Sequence, residues 1–546
     1  MLKGVSIAGT VSALGLLLLS VAPVVAQSTS QGVPATFGGN PAYAPQVPPD
    51  VQVPVIQSPP IVQAGAPVVS AESCTSCQHP SAAASCGTCE AQPAGKQCGC
   101  RLCKKKKAGK PSPCAGSHKG LFYANDFSYL GKEGNTASCL GDCLKDRKIG
   151  NLGNLGTLSL GGQLRWRYHS ERGQGQQAGF TRFQDTDNDF LLGRLRLYAD
   201  WKVNNNIRFY AEGIYADVAA RNEEYIARGI DANQGDFLNL FADINLDGRT
   251  TLRIGRQELL YGDQRLVSPL DWANTRQRFD GVRTLSKFDK FKIDTWYTQF
   301  VPAVPTEFDN PDEQQHFWGV YATLTELQNK TLELYYLGLN DDRGVNETEA
   351  VHTFGTRLFG NTQRNLLYEF EGAVQNGSRD LTDQSLTAWS ITGGLGYKFN
   401  NRPWKPALWF FYDYATGDEP GGSFTSFNDL FPLGHKYLGF IDAVQRQNIL
   451  SPNVRLSLAP TPKLNLLLWY YNFRAAIPET PILSLGGTPA QDTTSADFGN
   501  EIDFVATYKV NARNTALVGY SHFFRGDRIL GDTDADFLYL QWTTNF

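Results

Sequence analysis

The sequence predicts an all-β protein, a transmembrane antiparallel β-barrel of about 18 strands, preceded by a disordered Cys-rich N-terminal tail. Apolar and polar residues alternate from residue 157 onward, as in strands with one buried face. An export signal opens the chain, and no later stretch is apolar for the roughly 18 residues that a membrane helix needs. The last strand alternates too and ends in the aromatic Phe546. A barrel pairs all its backbone groups and exposes only alternate residues to lipid, which fits these observations.

Residues 1–26 are expected to be a signal peptide that is removed after Ala26. Lys3 supplies its positive start, and the apolar run that follows is too short to span a bilayer as a helix. Residues 27–73 are rich in proline and glutamine and cannot bury enough apolar surface to fold, so a disordered spacer is predicted. The mature chain is therefore expected in an oxidising compartment.

Residues 74–156 form a basic tail that holds all 10 cysteines. It opens with two C-x-x-C pairs, Cys74/Cys77 and Cys86/Cys89, a spacing at which two thiolates can share one zinc ion. An oxidising compartment favours a disulfide-bonded knot instead, and an unstructured reactive tail is a third alternative. The lysine run 104–107 predicts either periplasmic or cell-wall contact or a solvated basic segment.

Residues 157–546 are predicted to form the barrel, and the first strand sets the pattern of its two faces. The apolar face carries Leu158, Leu160, Leu164, Trp166 and Tyr168, and the polar face carries Gln163, Arg165, Arg167 and His169. A soluble β-sandwich also alternates. Here, however, the polar positions are repeatedly charged, and tryptophan and tyrosine cluster near strand ends like an interfacial girdle. These features favour a barrel in the cell outer membrane.

The stretch from Leu252 to Arg283 joins a strand to an arginine-rich loop. It contains G-R-Q at 255–257, G-x-Q-R-L at 262–266, D-W-x-N at 271–274 and R-F-D-G-V-R at 278–283. A second pattern, L-F-P-L-G-H-K-Y-L-G at 430–439, is followed by Asp442. Together these motifs resemble the alginate export family of outer-membrane proteins, over roughly residues 158–546.

The resemblance implies an outer-membrane channel that passively exports an anionic, alginate-like polysaccharide through an arginine-lined pore. From the motif it implies the site residues Arg256, Arg265, Asp271, Arg278, Asp280 and Arg283. Further arginines lie opposite the predicted lipid face or in the same loop, and a guanidinium fork matches a carboxylate while rings of arginine select anions. The additional pore-lining candidates are Arg165, Arg167, Arg194, Arg196, Arg253, Arg276, Arg357 and Arg455.

Acidic side chains on the same face are expected to pair with some of these arginines, so that a polymer is attracted and yet released. The acids are Asp200, Glu212, Asp243, Glu369, Glu371, Glu501 and Asp503. Expected partners are an anionic polysaccharide or another anionic solute, and outer-membrane lipid. A periplasmic or cell-wall contact through the basic Cys-rich tail is a further expectation. No nucleic-acid partner is expected, and the oligomeric state stays open.

Two alternatives to polysaccharide export remain. One is a general porin, or a porin selective for small anions or sugar acids, on the same fold. The other is a structural cell-surface protein anchored through its Cys-rich tail. An enzyme is not expected, because the sequence lacks G-x-S-x-G, H-E-x-x-H, G-x-x-x-x-G-K-[ST] and G-x-G-x-x-G patterns. The seven histidines are scattered without metal-ligand spacing, so neither a metal site nor a cofactor is predicted.

Overall fold

The computed structural model describes residues 114–132, 138–150, 155–175, 182–324, 327, 329–344, 347–379, 384–421, 423–484 and 488–546. The proposed signal peptide, the proline-rich spacer, the paired cysteines and the lysine run lie outside the described residues. Their assignments stay predictions.

Within the described residues, 19 strands form one antiparallel sheet. The strands are β1 (Arg147–Lys148), β2 (Thr157–Arg172), β3 (Asp187–Lys202), β4 (Ile207–Arg221), β5 (Asn233–Asn245), β6 (Thr250–Gln257), β7 (Arg278–Lys287), β8 (Phe291–Val301), β9 (Gln315–Leu324), β10 (Lys330–Gly344), β11 (Glu347–Asn361), β12 (Leu366–Arg379), β13 (Gln384–Lys398), β14 (Ala407–Ala415), β15 (Ile449–Leu458), β16 (Leu464–Ala475), β17 (Asp497–Lys509), β18 (Asn514–Arg525) and β19 (Ala535–Asn545).

Strands β2 to β19 close into a barrel of 18 strands, in which each strand pairs with its neighbours in the chain. Closure occurs between β19 and β2, where Trp542 lies opposite Trp166. The two-residue strand β1 only extends the sheet beside the first residues of β2. A closed barrel leaves no open sheet edge, so the backbone groups of its strands are paired. The predicted fold class is confirmed.

Helical structure is scarce in the described part of the chain. It consists of one helical turn, Gly434–Tyr437, and three short 3-10 turns, Phe122–Ala124, Ser128–Gly131 and Asp142–Leu144. No helix within those residues is long and apolar enough to cross a membrane.

The two faces of the strands differ as the alternation predicts. Large apolar side chains are exposed on the outer face, including Phe354 at 52% and Phe410 at 59%. In water such a surface would be an aggregation hazard, whereas against hydrocarbon it is the expected band of a membrane barrel. The inner face instead buries charged side chains, and Arg165 and Arg194 are each only 1% exposed.

The two ends of the barrel differ in the length of their connections. Short turns such as 203–206 and 246–249 lie at the end that also holds the start of β2 and the end of β19. Long loops lie at the other end, among them 258–277 and 416–448. In outer-membrane barrels the short turns face the periplasm and the long loops face outward.

The two long loops fold back into the barrel, and we name residues 258–277 inner loop A and residues 416–448 inner loop B. A parallel bridge joins them at Val267 and Phe431. The amide of Ser268 donates to the Phe431 carbonyl at 2.8 Å, and the Phe431 amide donates to the Leu266 carbonyl at 3.0 Å. Most apolar residues of both loops belong to one buried cluster with side chains of the inner wall. The barrel is therefore filled across its middle.

Part of the tail predicted to be disordered is instead folded against the barrel. A disulfide joins Cys114 to Cys139, while Cys143 is free and exposed. The Asp142 carboxylate accepts a hydrogen bond from Arg513 of the β17–β18 turn at 2.7 Å. Lys145 donates to the carbonyl of Phe546 at 3.1 Å. Composition did not reveal this order, because the surface that stabilises it belongs to the barrel rather than to the tail.

Candidate functional site

The arginines of β2 and β3 hold inner loop A by its backbone. Arg165 donates to the carbonyl of Asp271 at 2.8 Å, and Arg167 donates to the carbonyl of Trp272 at 2.8 Å. Arg194 donates to the Asp271 carbonyl at 3.2 Å and to the Asp271 carboxylate at 2.7 Å. A guanidinium has five N–H donors, so one side chain can satisfy several groups of an irregular buried loop. These inner-wall arginines therefore anchor the loop.

Trp272 connects the two motif regions that the sequence singled out. Its ring stacks on His435 of inner loop B, with 3.8 Å between the ring centroids. The Arg167 guanidinium lies 3.6 Å from the centre of the Trp272 ring on the inner wall. His435 in turn shares a hydrogen bond of 2.8 Å with Asp442 through Nδ1. The tryptophan, the histidine and the aspartate thus form one buried junction between wall, loop A and loop B.

A second set of arginines pairs with buried carboxylates beside loop A. Arg196 donates from Nε to Glu212 at 2.6 Å, and Arg276 pairs with Glu258 and with Asp271. Each buried charge thereby has an opposite charge within reach, as low-dielectric surroundings require. The same rule applies on the neighbouring strands, where Arg253 and Asp243 are joined by two hydrogen bonds, at 2.7 and 2.9 Å.

A third cluster lies on the inner wall of β10 to β12. Arg265 of inner loop A donates to Glu369 at 2.6 Å and to Glu371 at 2.8 Å. Arg357 donates to Glu333 at 3.0 Å and to Glu369 at 3.2 Å. Among these five residues the acids outnumber the arginines, so an incoming carboxylate must compete with fixed carboxylates here.

Arg455 differs from the other inner-wall arginines. It is half-buried, and among the described residues it has neither an ion-pair partner nor a hydrogen-bond partner. Its guanidinium lies 4.8 Å from the ring centre of Trp469, 5.0 Å from that of Phe411 and 5.3 Å from that of Trp409. Its Nε is buried, but its two Nη groups are accessible, so an arginine held in this way by aromatic faces keeps those donors available.

The family whose model matches the sequence is described as Alginate export, and the match covers residues 157–540. The chain belongs to the alginate export family. No curated protein matches it. Two solved structures from Pseudomonas aeruginosa share a TM-score of 0.50 with it, and each covers 71% of this chain. They are OccK8 (OprE), 13% identical and covered over 98% of its length, and the outer membrane protein opdK, 12% identical and also covered over 98%.

At this level of identity the two structures show the shared barrel fold alone. Family and fold together make this alginate export family protein an outer-membrane channel, located in the cell outer membrane. The resemblance to the alginate export family, which was inferred from motifs that include G-R-Q and R-F-D-G-V-R, is confirmed.

Three of the motif residues of this alginate export family protein lie on the outer side of the wall. Arg256 pairs across the strands with Leu240 and Asp280, and Leu240 is 46% exposed toward the lipid side. Arg256 is bonded to Asp280 at 2.8 Å. Arg278 has the same orientation and pairs with Asp236 at 3.1 Å beneath the 302–314 loop. The alternation that turns Arg253 inward turns Arg256 outward, so the expectation that Arg256, Arg278 and Asp280 line the lumen is corrected.

The remaining motif arginine, Arg283, and two basic residues of inner loop B also pair with acids inside the barrel. Arg283 faces inward and pairs with Asp294 at 2.7 Å. Sequence reasoning missed Lys436, whose ammonium group contacts Asp263 at 3.1 Å, and Arg446, which donates to Asp413 at 2.8 Å. Lys436 lies within the second family motif, which was the available signal. Arg446 follows it in an irregular loop, where no periodicity indicates which way a side chain points.

Two glycines of the first family motif, Gly255 and Gly281, occupy positions where a Cβ would collide with the neighbouring strand. Gly255 and Gly281 lie directly opposite each other in β6 and β7. Gly255 has φ of 125°, and a Cβ there would stand 2.3 Å from the carbonyl oxygen of Leu240. The strands therefore approach more closely at this point than a side chain permits, just before the chain turns into inner loop A.

Proposed function

We propose that the channel passes an anionic polysaccharide of the alginate type outward from the periplasm, driven only by its concentration gradient. The observation that carries this proposal is Arg455, an inner-wall cation whose accessible Nη donors lie near the rings of Trp409, Phe411 and Trp469. A uronate unit presents a carboxylate for the guanidinium fork and an apolar sugar face for an aromatic ring. A site with both features recognises a sugar acid better than a simple inorganic anion.

The paired arginines support passage rather than retention. A conduit must attract its substrate and release it again, so binding at each point has to be weak. Arg265 and Arg357 already share Glu333, Glu369 and Glu371. A polymer carboxylate gains little by displacing one of those acids, because the displaced charge would be left unpaired. An arginine-lined path with internal counter-charges therefore favours sliding over trapping.

Single-channel recording in a planar bilayer tests the proposal, with a uronate oligomer added to one side. The wild-type channel is expected to show brief blockades whose frequency rises with oligomer concentration. Arg455→Ala should reduce the oligomer affinity by roughly ten- to a hundredfold, since a charge-assisted bond contributes about 1.5–3 kcal/mol. Arg402→Ala is the matched control, because it removes the same charge from an exposed turn of the barrel and should leave the blockades unchanged. Equal blockade of wild type and Arg455→Ala would contradict the proposal.

A porin for small anions is the second candidate. The filling of the barrel by inner loops A and B favours it, because a filled lumen admits small solutes more easily than a chain of sugars. In the same recordings, permeation by monomeric sugar acids without oligomer blockade would select this alternative. A structural cell-surface protein would give no conductance at all.

A further inference from the structure

Residues 114–132, which we name the N-terminal segment, run from the periplasmic turns into the lumen. At the periplasmic end Phe127 and Tyr129 are buried in one cluster with the Cys114–Cys139 disulfide, next to the β17–β18 turn. Farther along, Phe122 is only 3% exposed and packs on Tyr198 of the inner wall. Both ends of the segment thus lie at the periplasmic rim, and its middle lies inside the barrel.

The aromatic pair Phe122 and Tyr123 covers charged side chains of the inner wall. The Arg196 guanidinium lies 3.9 Å from the centre of the Phe122 ring. The Arg253 guanidinium lies 4.4 Å from the centre of the Tyr123 ring, and Arg208 donates to the Tyr123 carbonyl at 2.8 Å. Two of these three arginines, at 196 and 253, are among the residues predicted to line the pore. With the segment in place, aromatic rings cover them.

The N-terminal segment also reaches inner loop A. The Tyr123 hydroxyl donates to the carbonyl of Glu258 at 2.9 Å, and Arg276 donates to the carbonyl of Gly120 at 3.3 Å. The segment therefore bridges the space between the periplasmic turns and the loop that fills the middle of the barrel. An 18-stranded barrel is wide enough to hold an aqueous channel, so what fills this space sets the width of the periplasmic half.

The bonds of the segment and those of the barrel differ in kind. The strands are joined by continuous ladders of backbone hydrogen bonds, whereas no residue of the N-terminal segment belongs to the sheet. Side-chain contacts, a few hydrogen bonds to its carbonyls and the covalent loop from Cys114 to Cys139 hold it. A segment attached in this way can undock locally while the barrel stays intact.

We propose that the N-terminal segment is a periplasmic-side stopper, docked in the lumen by Phe122 and Tyr123 and stabilised by the Cys114–Cys139 disulfide. The segment must undock before a solute can enter. Undocking exposes Arg196, Arg208 and Arg253 to the lumen at the same time as it widens the path. Exchange with an external dithiol reduces the bond to the two cysteine thiols while the dithiol is itself oxidised to a disulfide, which frees the segment from its covalent loop and favours the undocked state. The inference rests on the channel function and is independent of whether the solute is a polysaccharide.

Single-channel conductance in potassium chloride tests the stopper with the full-length chain. Phe122→Ala combined with Tyr123→Ala removes both rings, and the fraction of time spent in a larger conductance state is expected to rise about tenfold, which equals ~1.4 kcal/mol. Tyr123→Phe keeps the ring and removes only the bond to Glu258, so a smaller rise is expected. Leu140→Ala is the matched control, because Leu140 belongs to the same tail and is 55% exposed. An unchanged conductance in the double variant, with the barrel intact by its heat-modifiable gel mobility, overturns the proposal.

The disulfide is tested separately by Cys114→Ser with Cys139→Ser, and by adding a thiol reductant to the wild-type channel. Both are expected to lengthen the larger conductance state, and the reductant is expected to have no further effect on the double serine variant. If neither changes the time spent in the larger conductance state, the disulfide does not stabilise the docked segment. Because potassium chloride alone carries the current, a failure of the stopper is distinguishable from a failure of uronate recognition, which only the oligomer blockades report.

Discussion

Replacing Arg194 by alanine distinguishes an arginine that anchors a loop from one that only lines a pore. Arg194 is 1% exposed, and its hydrogen bonds include two to backbone carbonyls of inner loop A, one to the Asp271 carboxylate and one to Gln163. Breaking a buried ion pair by removing one partner costs about 3–5 kcal/mol. Arg276 still pairs with Asp271 in the variant, so the lower end of the range, about 3 kcal/mol, is expected.

A loss of that size raises the population of the undocked loop by roughly a hundredfold. Planar-bilayer recordings of the Arg194→Ala channel should therefore show frequent excursions to a larger conductance. Arg194→Lys keeps the positive charge but lacks the planar fork, so its excursions should be intermediate in frequency. A channel of unchanged conductance and unchanged current noise, altered only in its preference for anions over cations, would refute the anchoring role.

Three further predictions concern other parts of the molecule. Glu501→Ala removes the acceptor of the Phe440 and Ile441 amides, at 2.5 and 2.8 Å, and should speed hydrogen exchange in inner loop B by about tenfold or more, since each buried unpaired amide costs roughly 1–3 kcal/mol. The pKa of Asp142 is lowered from 3.8, because hydrogen bonds from Tyr129, Cys139 and Arg513 together outweigh the opposing effect of burial. The Asp142 carboxylate therefore stabilises the docked segment fully above its ordinary pKa of 3.8, and this contribution is lost as the pH falls through the lower pKa of the folded state. Hydrogen exchange in residues 114–132 should accordingly accelerate below about pH 4. Asp142→Asn should show the faster exchange already at neutral pH. Gly255→Val should prevent formation of the heat-modifiable barrel, because its Cβ would overlap the Leu240 carbonyl, whereas Gly248→Ala, at an open turn, should fold with only a modest loss of stability.

The fold was predictable from the sequence because a barrel wall repeats one simple rule. Leu164 and Trp166 face out and Arg165 and Arg167 face in, and the same period identifies the other strands. The error at Arg256 arose because the family motif was carried over without extending that rule from Gly255 to Arg256. Alternation alone would have turned Arg256 outward.

The inner loops and the docked tail were beyond such reasoning. Trp272 meets Arg165 and Arg167 across more than a hundred residues of chain, and loops lack a period that would indicate their direction. Five of the acids predicted to accompany the arginines do pair with one, among them Glu212 with Arg196 and Asp243 with Arg253, whereas Glu501 accepts from the backbone amides of inner loop B. Complementary charge on one face of neighbouring strands was therefore the most informative local signal.

The stacking of Trp272 on His435 joins inner loops A and B into one unit that crosses the lumen. Inner loop A is held at one wall by Arg165 and Arg194 of β2 and β3, and at the opposite wall through Arg265, which donates to Glu369 of β12. The two joined loops therefore connect opposite walls of the barrel, so a substitution that weakens one attachment, such as Arg194→Ala, also loosens the contacts of the other loop. A ligand that displaces one loop from outside would in the same way change the contacts at the opposite wall.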